Sequence, residues 1–343
     1  MIFDSSIMQK EQDYLILAYA DDKALENIKI SDLRKMTHVN LAFGVLEDGL
    51  LSLSRLKNLP MIDRLRKEVP HVKWVLSIGG WQADGFSQMA ATAIGRNGFA
   101  ASVRKSIDQW KLDGVDIDWE FPCNDVGGIS ASPNDKTNYT LLLQALRNAL
   151  GDDKIVSVAV SAEKWFIENT EMEKVAKIVD YVQIMTYDMR PGIQSTGHHT
   201  ALFDTEDKLS TSVDSAVNRY IAAGVQKEKI VIGSAHYGRS WKGKQVGMGL
   251  GMPADTYGEY GPGYGDIAKM LREGKLKEQW DDRAKASYIA QDGIFISYDS
   301  PHSVMLKCEY LKEKGLLGIM YWLHRLDDTG ILLDAAYKVL SQQ

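Results

Sequence analysis

A (β/α)8 barrel of the TIM type, with a small α+β subdomain inserted between its seventh and eighth strands, is predicted by three observations. Eight short apolar runs rich in β-branched residues recur along the chain. Segments with helical periodicity separate most of them. One interval, residues 239–315, is far longer than a single connecting helix needs. Near-continuous apolar strands are expected where helices cover a parallel sheet.

The runs are YLILAYA (14–20), HVNLAF (38–43), KWVLSIGGW (73–81), GVDIDWE (114–120), IVSVAVSA (155–162), YVQIMTYD (181–188), KIVIGSAHYG (229–238) and LLGIMYWL (316–323). Between the fourth run and the one before it, residues 97–112 place Phe99, Val103 and Ile107 four apart, on one helical face. Residues 138–150 and 211–223 repeat that pattern. In the long interval, residues 243–292 hold a glycine- and tyrosine-rich stretch and then a helical IAKMLREGKL, which predicts the packed insertion. One catalytic barrel domain over residues 1–343 is expected, with 243–292 as a subdomain within it. An open doubly wound sheet is the alternative, but no GxGxxG turn follows an early strand.

Composition narrows the function classes. The 343 residues are 45% hydrophobic and 25% charged, which is ordinary for a globular chain. A net charge of −6 does not suggest nucleic acid as a partner. The two cysteines, Cys123 and Cys308, cannot build a disulfide framework and are read as buried small hydrophobes. No run of 18 apolar residues is present, so no membrane span is expected.

The chemistry concentrates in LDGVDIDWEFP, residues 112–122. Side chains alternate across a strand, so Asp116, Asp118 and Glu120 share one face, and Val115, Ile117 and Trp119 share the other. An amphipathic strand with its acids in water is the bland interpretation. In a barrel the apolar face meets the helices and the acids point inward. Buried carboxylates are costly unless paired, hydrogen-bonded or protonated, and the carboxyl end of a barrel strand is where catalytic groups sit. Three carboxylates this close cannot all ionise, so protons are shared among them. Glu120, outermost, is the candidate proton donor. A Mg²⁺ or Ca²⁺ site is the rival use, but no histidine spacing joins the acids to support a metal.

The stretch resembles the DxxDxDxE signature of glycoside hydrolase family 18, the chitinases and their relatives, with Asp113, Asp116, Asp118 and Glu120 in its four acidic positions. SIGGW (77–81), QIMTYD (183–188), YGRSW (237–241) and MYW (320–322) resemble further motifs of that family in the right order, and Tyr19 and Phe43 fall where it places aromatics. The resemblance implies a retaining, endo-type chitinase without a cofactor. It would cut β-1,4 bonds between N-acetylglucosamine units, with the substrate's own acetamido group as nucleophile. Glu120 would be the acid and base, Asp118 would orient the acetamido group, Asp116 would share its proton, and Asp113 would be structural. Tyr187 would bind the acetamido oxygen. Trp322 would form the floor under the sugar and Trp81 would serve the neighbouring sugar on the leaving side. Tyr19, Phe43, Met185, Asp188, Tyr237 and Arg239 would complete the cleft, the last two from the seventh strand. Trp241 is as much a core candidate as a cleft one.

Departures from the family pattern are Leu323 after Trp322, where an acid is common, and His236 before Tyr237. His198 and His199 are expected as surface groups of a loop. Endo-β-N-acetylglucosaminidases on N-glycans and cell-wall glycan hydrolases share the signature and remain alternatives. A non-catalytic chitin-binding lectin is disfavoured because both Asp118 and Glu120 are present. Chitin or its oligosaccharides are the expected partners of a monomer. Export is expected if a leader was removed, and a cytoplasmic enzyme on imported oligomers is the other expectation, since the chain opens with no basic start and apolar core.

Overall fold

The computed structural model describes residues 14–190, 192–206 and 209–342. Eight parallel strands close on themselves: Leu15–Asp21, His38–Glu47, Lys73–Gly79, Gly114–Asp118, Ile155–Ser161, Tyr181–Met185, Ile230–Ala235 and Gly318–Trp322. Each pairs with its sequence neighbours, and the first pairs with both the second and the last, which completes the barrel. All eight expected strands are present.

Helices cover the outside. Ala93–Trp110, Asp135–Leu150 and Val213–Ala222 correspond to the three segments with helical periodicity. The outward faces of the fourth and neighbouring strands pack against them: Val115, Ile117 and Trp119 are buried, and the Trp119 ring stacks on Phe86 at 5.2 Å and meets Tyr139 edge-on at 6.0 Å. This resolves the question of the acidic strand. With its apolar face committed to the helices, the carboxylates have only the barrel interior left.

Two glycines let the end of the third strand pack tightly between the fourth strand and the second. A side chain at Gly79 would lie 2.0 Å from the Asp118 carbonyl oxygen, and one at Gly80 would lie 2.6 Å from the Phe43 ring. Both residues have positive φ, 122° and 89°, which L side chains rarely adopt. The SIGGW motif is therefore a packing requirement at the mouth of the barrel.

The insertion is a five-stranded antiparallel sheet: Tyr237–Lys242, Glu259–Gly263, Gln279–Asp281, Ala286–Gln291 and Ile294–Tyr298, with the helix Tyr264–Arg272. It takes in chain on both sides of the expected 243–292. The YGRSW motif is not on the seventh barrel strand. That strand ends at Ala235, and Tyr237 and Arg239 open the inserted sheet instead. Trp241 is fully buried in the subdomain's own core and donates to the Ile193 carbonyl. Among the described residues no helix is long and apolar enough to cross a membrane.

The insertion returns to the barrel through a buried ion pair. Asp299 and Lys307 both have fully buried side chains, 2.7 Å apart. Asp299 also accepts from the Ala235 N–H at the end of the seventh strand and from the Ser234, Thr200 and Ser303 hydroxyls. Removing one member of such a pair strands a buried charge, at a cost of about 3–5 kcal/mol. Lys307→Met is expected to lower unfolding stability by that amount in urea titration. The double variant Asp299→Asn with Lys307→Met should lose less than the sum of the two single changes.

Candidate active site

Asp116 lies at the centre of the barrel with no exposure. Its Oδ2 accepts from the Tyr19 hydroxyl at 2.9 Å and the Ser77 hydroxyl at 2.7 Å. Its Oδ1 accepts from the Ser157 hydroxyl at 2.8 Å and the Gln183 amide at 2.7 Å. The donors come from the first, third, fifth and sixth strands. Burial raises the Asp116 carboxyl above the usual range, and the four donors pull against that rise.

Asp118, two residues on, is 4% exposed, and its Oδ1 has no hydrogen-bond partner among the described residues. Burial first, and then the charges of Glu120 and Asp116, push its carboxyl far above the carboxylate range. Glu120 follows just beyond the strand end. Burial, reinforced by the negative charge of Asp188, raises it to about 8. At neutral pH Glu120 therefore holds a proton that it can donate. Asp113, by contrast, accepts from the Trp74 N–H at 2.8 Å and pairs with Lys73 at the opposite end of the strand, away from these groups.

The sixth strand ends at Met185, and the chain then turns through Thr186 to Tyr187 and Asp188. Among the described residues the Tyr187 hydroxyl has only a weak partner, the Met320 sulfur at 3.7 Å. Asp188 has a left-handed φ of 55°, which Asp tolerates better than most residues. Its carboxylate is gripped by Arg239, with Nε to Oδ1 and Nη2 to Oδ2 both 2.6 Å, and the Tyr237 hydroxyl donates to it at 2.7 Å. His199 Nδ1 lies 3.5 Å from Oδ1. Burial alone would raise the Asp188 carboxyl, but His199 and the Arg239 fork hold it well below the usual range. His198 and His199 are thus not surface groups. Both are buried, His198 against Asp281 and His199 behind Asp188.

Across the barrel, on the eighth strand, Trp322 is half-buried. Phe43 stacks on it at 5.5 Å with 19° between the rings, and Tyr19 lies at 5.6 Å. Tyr19 was expected to touch a sugar, but it is 2% exposed and its hydroxyl is occupied by Asp116. It supports the floor from below. Trp81 is 55% exposed and stands against the loop at Gly127. Leu323 is buried. His236 is also buried and stacks on Tyr321 at 4.0 Å, away from the mouth. Cys123 is half-buried rather than buried, with its sulfur near the Pro133 and Asn169 carbonyls.

Tyr260 is a site residue that the sequence did not single out. It lies on the second inserted strand, 51% exposed. Its ring stacks on Tyr237 at 4.4 Å, the Arg239 guanidinium lies 5.5 Å from its centre, and its hydroxyl accepts from Trp322 Nε1 at 3.2 Å. Ser77, Ser157 and Gln183 were missed as well. Their only signal is a polar residue at an inward position of an otherwise apolar strand. Among the described residues no group of three or more His, Cys, Asp or Glu side chains is arranged to hold a metal ion.

Comparison with known proteins agrees with this geometry. Residues 15–327 match the model of the glycosyl hydrolases family 18. The chain is 34% identical to Chitinase A1 of Niallia circulans over 293 residues, 77% of this chain and 42% of that protein. It is 29% identical to chitotriosidase-1 of Mus musculus, covering 85% of this chain and 67% of that protein. Among solved structures, a family 18 N-acetylglucosaminidase from Paenibacillus barengoltzii superposes with a TM-score of 0.91 at 42% identity, over 95% of this chain and 99% of that one. Barrel, acidic strand and family match converge: the chain belongs to glycosyl hydrolase family 18.

Proposed function

We propose that the enzyme hydrolyses β-1,4 bonds between N-acetylglucosamine units in chitin-derived oligosaccharides, with retention, through the substrate's acetamido group. The observation that carries this is the Asp118–Tyr187 pair. Among the described residues one buried carboxylate oxygen has no partner and one buried hydroxyl has only a weak sulfur contact, and the two groups are near enough for the Asp118 charge to raise the Tyr187 hydroxyl. An acetamido group presents the complementary pair, an N–H and a carbonyl oxygen. Unsatisfied buried polar groups are expensive, so a ligand that satisfies both is favoured over a plain hydroxyl sugar. The relatives named chitinase, chitotriosidase and N-acetylglucosaminidase are consistent with that substrate class.

In this mechanism Glu120 gives its proton to the glycosidic oxygen and the bond from that oxygen to the anomeric carbon breaks. The acetamido carbonyl oxygen, oriented by Asp118 and Tyr187, attacks the anomeric carbon from the opposite side and closes an oxazolinium ring. Family 18 is an exception to the usual scheme of two protein carboxylates for this reason. Once the leaving sugar departs, ionised Glu120 takes a proton from water, which adds to the anomeric carbon and reopens the ring. Two inversions give net retention. Trp322 offers an aromatic face to the sugar's C–H groups.

Glu120→Gln tests the assignment. Turnover of N-acetylglucosamine oligomers should fall by about 10²–10⁴-fold while binding persists; near-normal turnover would sink it. The same variant should be more stable than the parent at pH 7. A carboxyl raised to about 8 gives stability that is present below its unfolded value and is lost as pH rises towards 8. Gln has no such loss, so the advantage should reach about 1–3 kcal/mol at pH 7 and vanish near pH 4.

The pH profile supplies a second check. Activity requires protonated Glu120, so the alkaline limb should fall near pH 8. Asp188→Asn removes a negative charge that raises Glu120, so the limb should move to lower pH. A limb that stays in place would show that Asp188 does not influence the acid.

A further inference from the structure

The turn that carries Tyr187 and Asp188 lies beyond the reach of the sheet ladder. Strand six pairs with strand seven as far as Ile184 and Ile232, and the ladder stops there. The Thr186 N–H then folds back onto the Ile184 carbonyl at 2.8 Å, and Asp188 is left-handed. The chain has left the strand direction where two site residues stand, and side chains take over from the ladder. The Thr186 hydroxyl accepts from the Gly233 N–H at 2.7 Å and donates to the Gly233 carbonyl at 2.8 Å. It does for Gly233 what a further residue of strand six would have done.

Two consecutive residues, His199 and Thr200, fasten the same turn. The Asp188 N–H donates to His199 Nδ1 at 3.2 Å, and the Met189 N–H donates to the His199 carbonyl at 3.0 Å. The Thr200 hydroxyl has one proton and two acceptors within reach, the Thr186 carbonyl at 3.0 Å and Asp299 Oδ2 at 3.2 Å. Asp299 Oδ2 already accepts from the Lys307 ammonium at 2.7 Å, the Ala235 N–H at 2.9 Å and the Ser234 hydroxyl at 3.1 Å. Among the described residues no other donor reaches the Thr186 carbonyl. The Lys307 ammonium also donates to the Thr200 oxygen at 2.6 Å, which turns the hydroxyl proton away from Lys307. Thr186, Thr200 and Lys307 are all buried, and a buried carbonyl without a donor is costly. The proton is therefore favoured on the Thr186 side.

We propose that Thr200, with its hydroxyl oriented by the buried Lys307 ammonium, is a positioning residue for Tyr187. The ion pair at the junction of the insertion then reaches the site through one hydroxyl and one carbonyl. This role rests on the hydrolytic function above, in which Tyr187 holds the acetamido oxygen as it attacks. Placement decides the rate of such a step: a displacement of about 1 Å costs on the order of 10²-fold. Without the Thr200 hydroxyl the Thr186 carbonyl has no donor, the turn relaxes and Tyr187 loses its aim. Glu120, just beyond the end of strand four, stays in place.

The test is a double-mutant cycle on kcat with the N-acetylglucosamine tetramer as substrate. Thr200→Val keeps the shape of the side chain and removes the hydroxyl. It should lower kcat about tenfold, within the range that misplacement produces, with KM little changed. Thr200→Ser keeps the hydroxyl and should stay near the parent. In a Tyr187→Phe background the valine should change kcat by less than about twofold, because the hydroxyl it positions is gone. Should the valine variant not fold, Thr200→Ala, which leaves room for a water beside Lys307, enters the cycle under the same criteria. An equal fall in both backgrounds would show that Thr200 only supports the fold, and would overturn the positioning role while leaving the hydrolytic reading standing. A valine variant with parental kcat, or a serine variant as slow as valine, would overturn it too. A parent enzyme that leaves the tetramer uncut would instead overturn the function on which the role rests.

Discussion

The buried carboxylate of Asp116 is the constraint around which the barrel interior is organised. Placing an ionised carboxylate in a low-dielectric interior costs several kcal/mol even after relaxation. Four donors from four strands offset that cost, one for each lone-pair site the group presents. The consequences spread outward. Tyr19, Ser77, Ser157 and Gln183 must stand at inward positions of strands that are otherwise apolar. Asn40 on the second strand donates to the Gln183 side-chain oxygen at 2.8 Å, which turns the Gln183 amide nitrogen towards Asp116. Five of the eight strands are thus tied to the level of one side chain.

From Asp116 outward, the number of donors falls while burial stays high, and this gradient sets where protons reside. Asp116 has its oxygens filled by donors, so a proton there would displace one of them. Asp118 has an oxygen without a partner among the described residues and lies between two carboxyls whose charges would oppose its own, so it is the costlier place for charge. Glu120 sits where the strand has ended and a sugar oxygen can approach. Three identical functional groups spaced two residues apart therefore take different roles through their surroundings alone, as expected when environment pushes titrating neighbours apart.

Much of this was legible in the sequence, and the reason differs from residue to residue. The barrel was readable because its strands are apolar on both faces and helices with a four-residue rhythm separate them. The acidic strand was readable because strand alternation is strict and four carboxylates on an apolar run have few explanations. Tyr260 was not readable. Its place beside Trp322 depends on how an inserted antiparallel sheet folds back over the barrel, with Tyr260 paired to Arg239 in that sheet. No local pattern reports such a pairing. The burial of His199 was hidden for the same reason: a histidine in a loop looks solvent-facing until the partner behind it, Asp188, is positioned by a different element. Arg239 was assigned to the seventh strand because the YGRSW run continues it in sequence, although His236 marks the point where the chain leaves the barrel.

The inserted sheet reaches the acidic strand through electrostatics as well as through contact. Glu120 is raised by burial and by the negative charge of Asp188. That charge persists because Asp188 is held ionised against its own burial by His199 and by Arg239. Arg239 and Tyr237 belong to the insertion, whereas Asp188 and Glu120 belong to the barrel. If the sheet swung away, Asp188 would lose its cation and its carboxyl would rise towards protonation, weakening the push on Glu120. Glu120 would then lose its proton at a lower pH even though no group within the barrel had moved. The Asp299–Lys307 junction, fully buried and bonded to the end of the seventh strand, holds the returning end of the sheet to the barrel. Its rigidity is thereby coupled to the protonation of Glu120, just beyond the end of the fourth strand, so that in the mechanism we propose the insertion between strands seven and eight takes part in donating the proton rather than being an appendage.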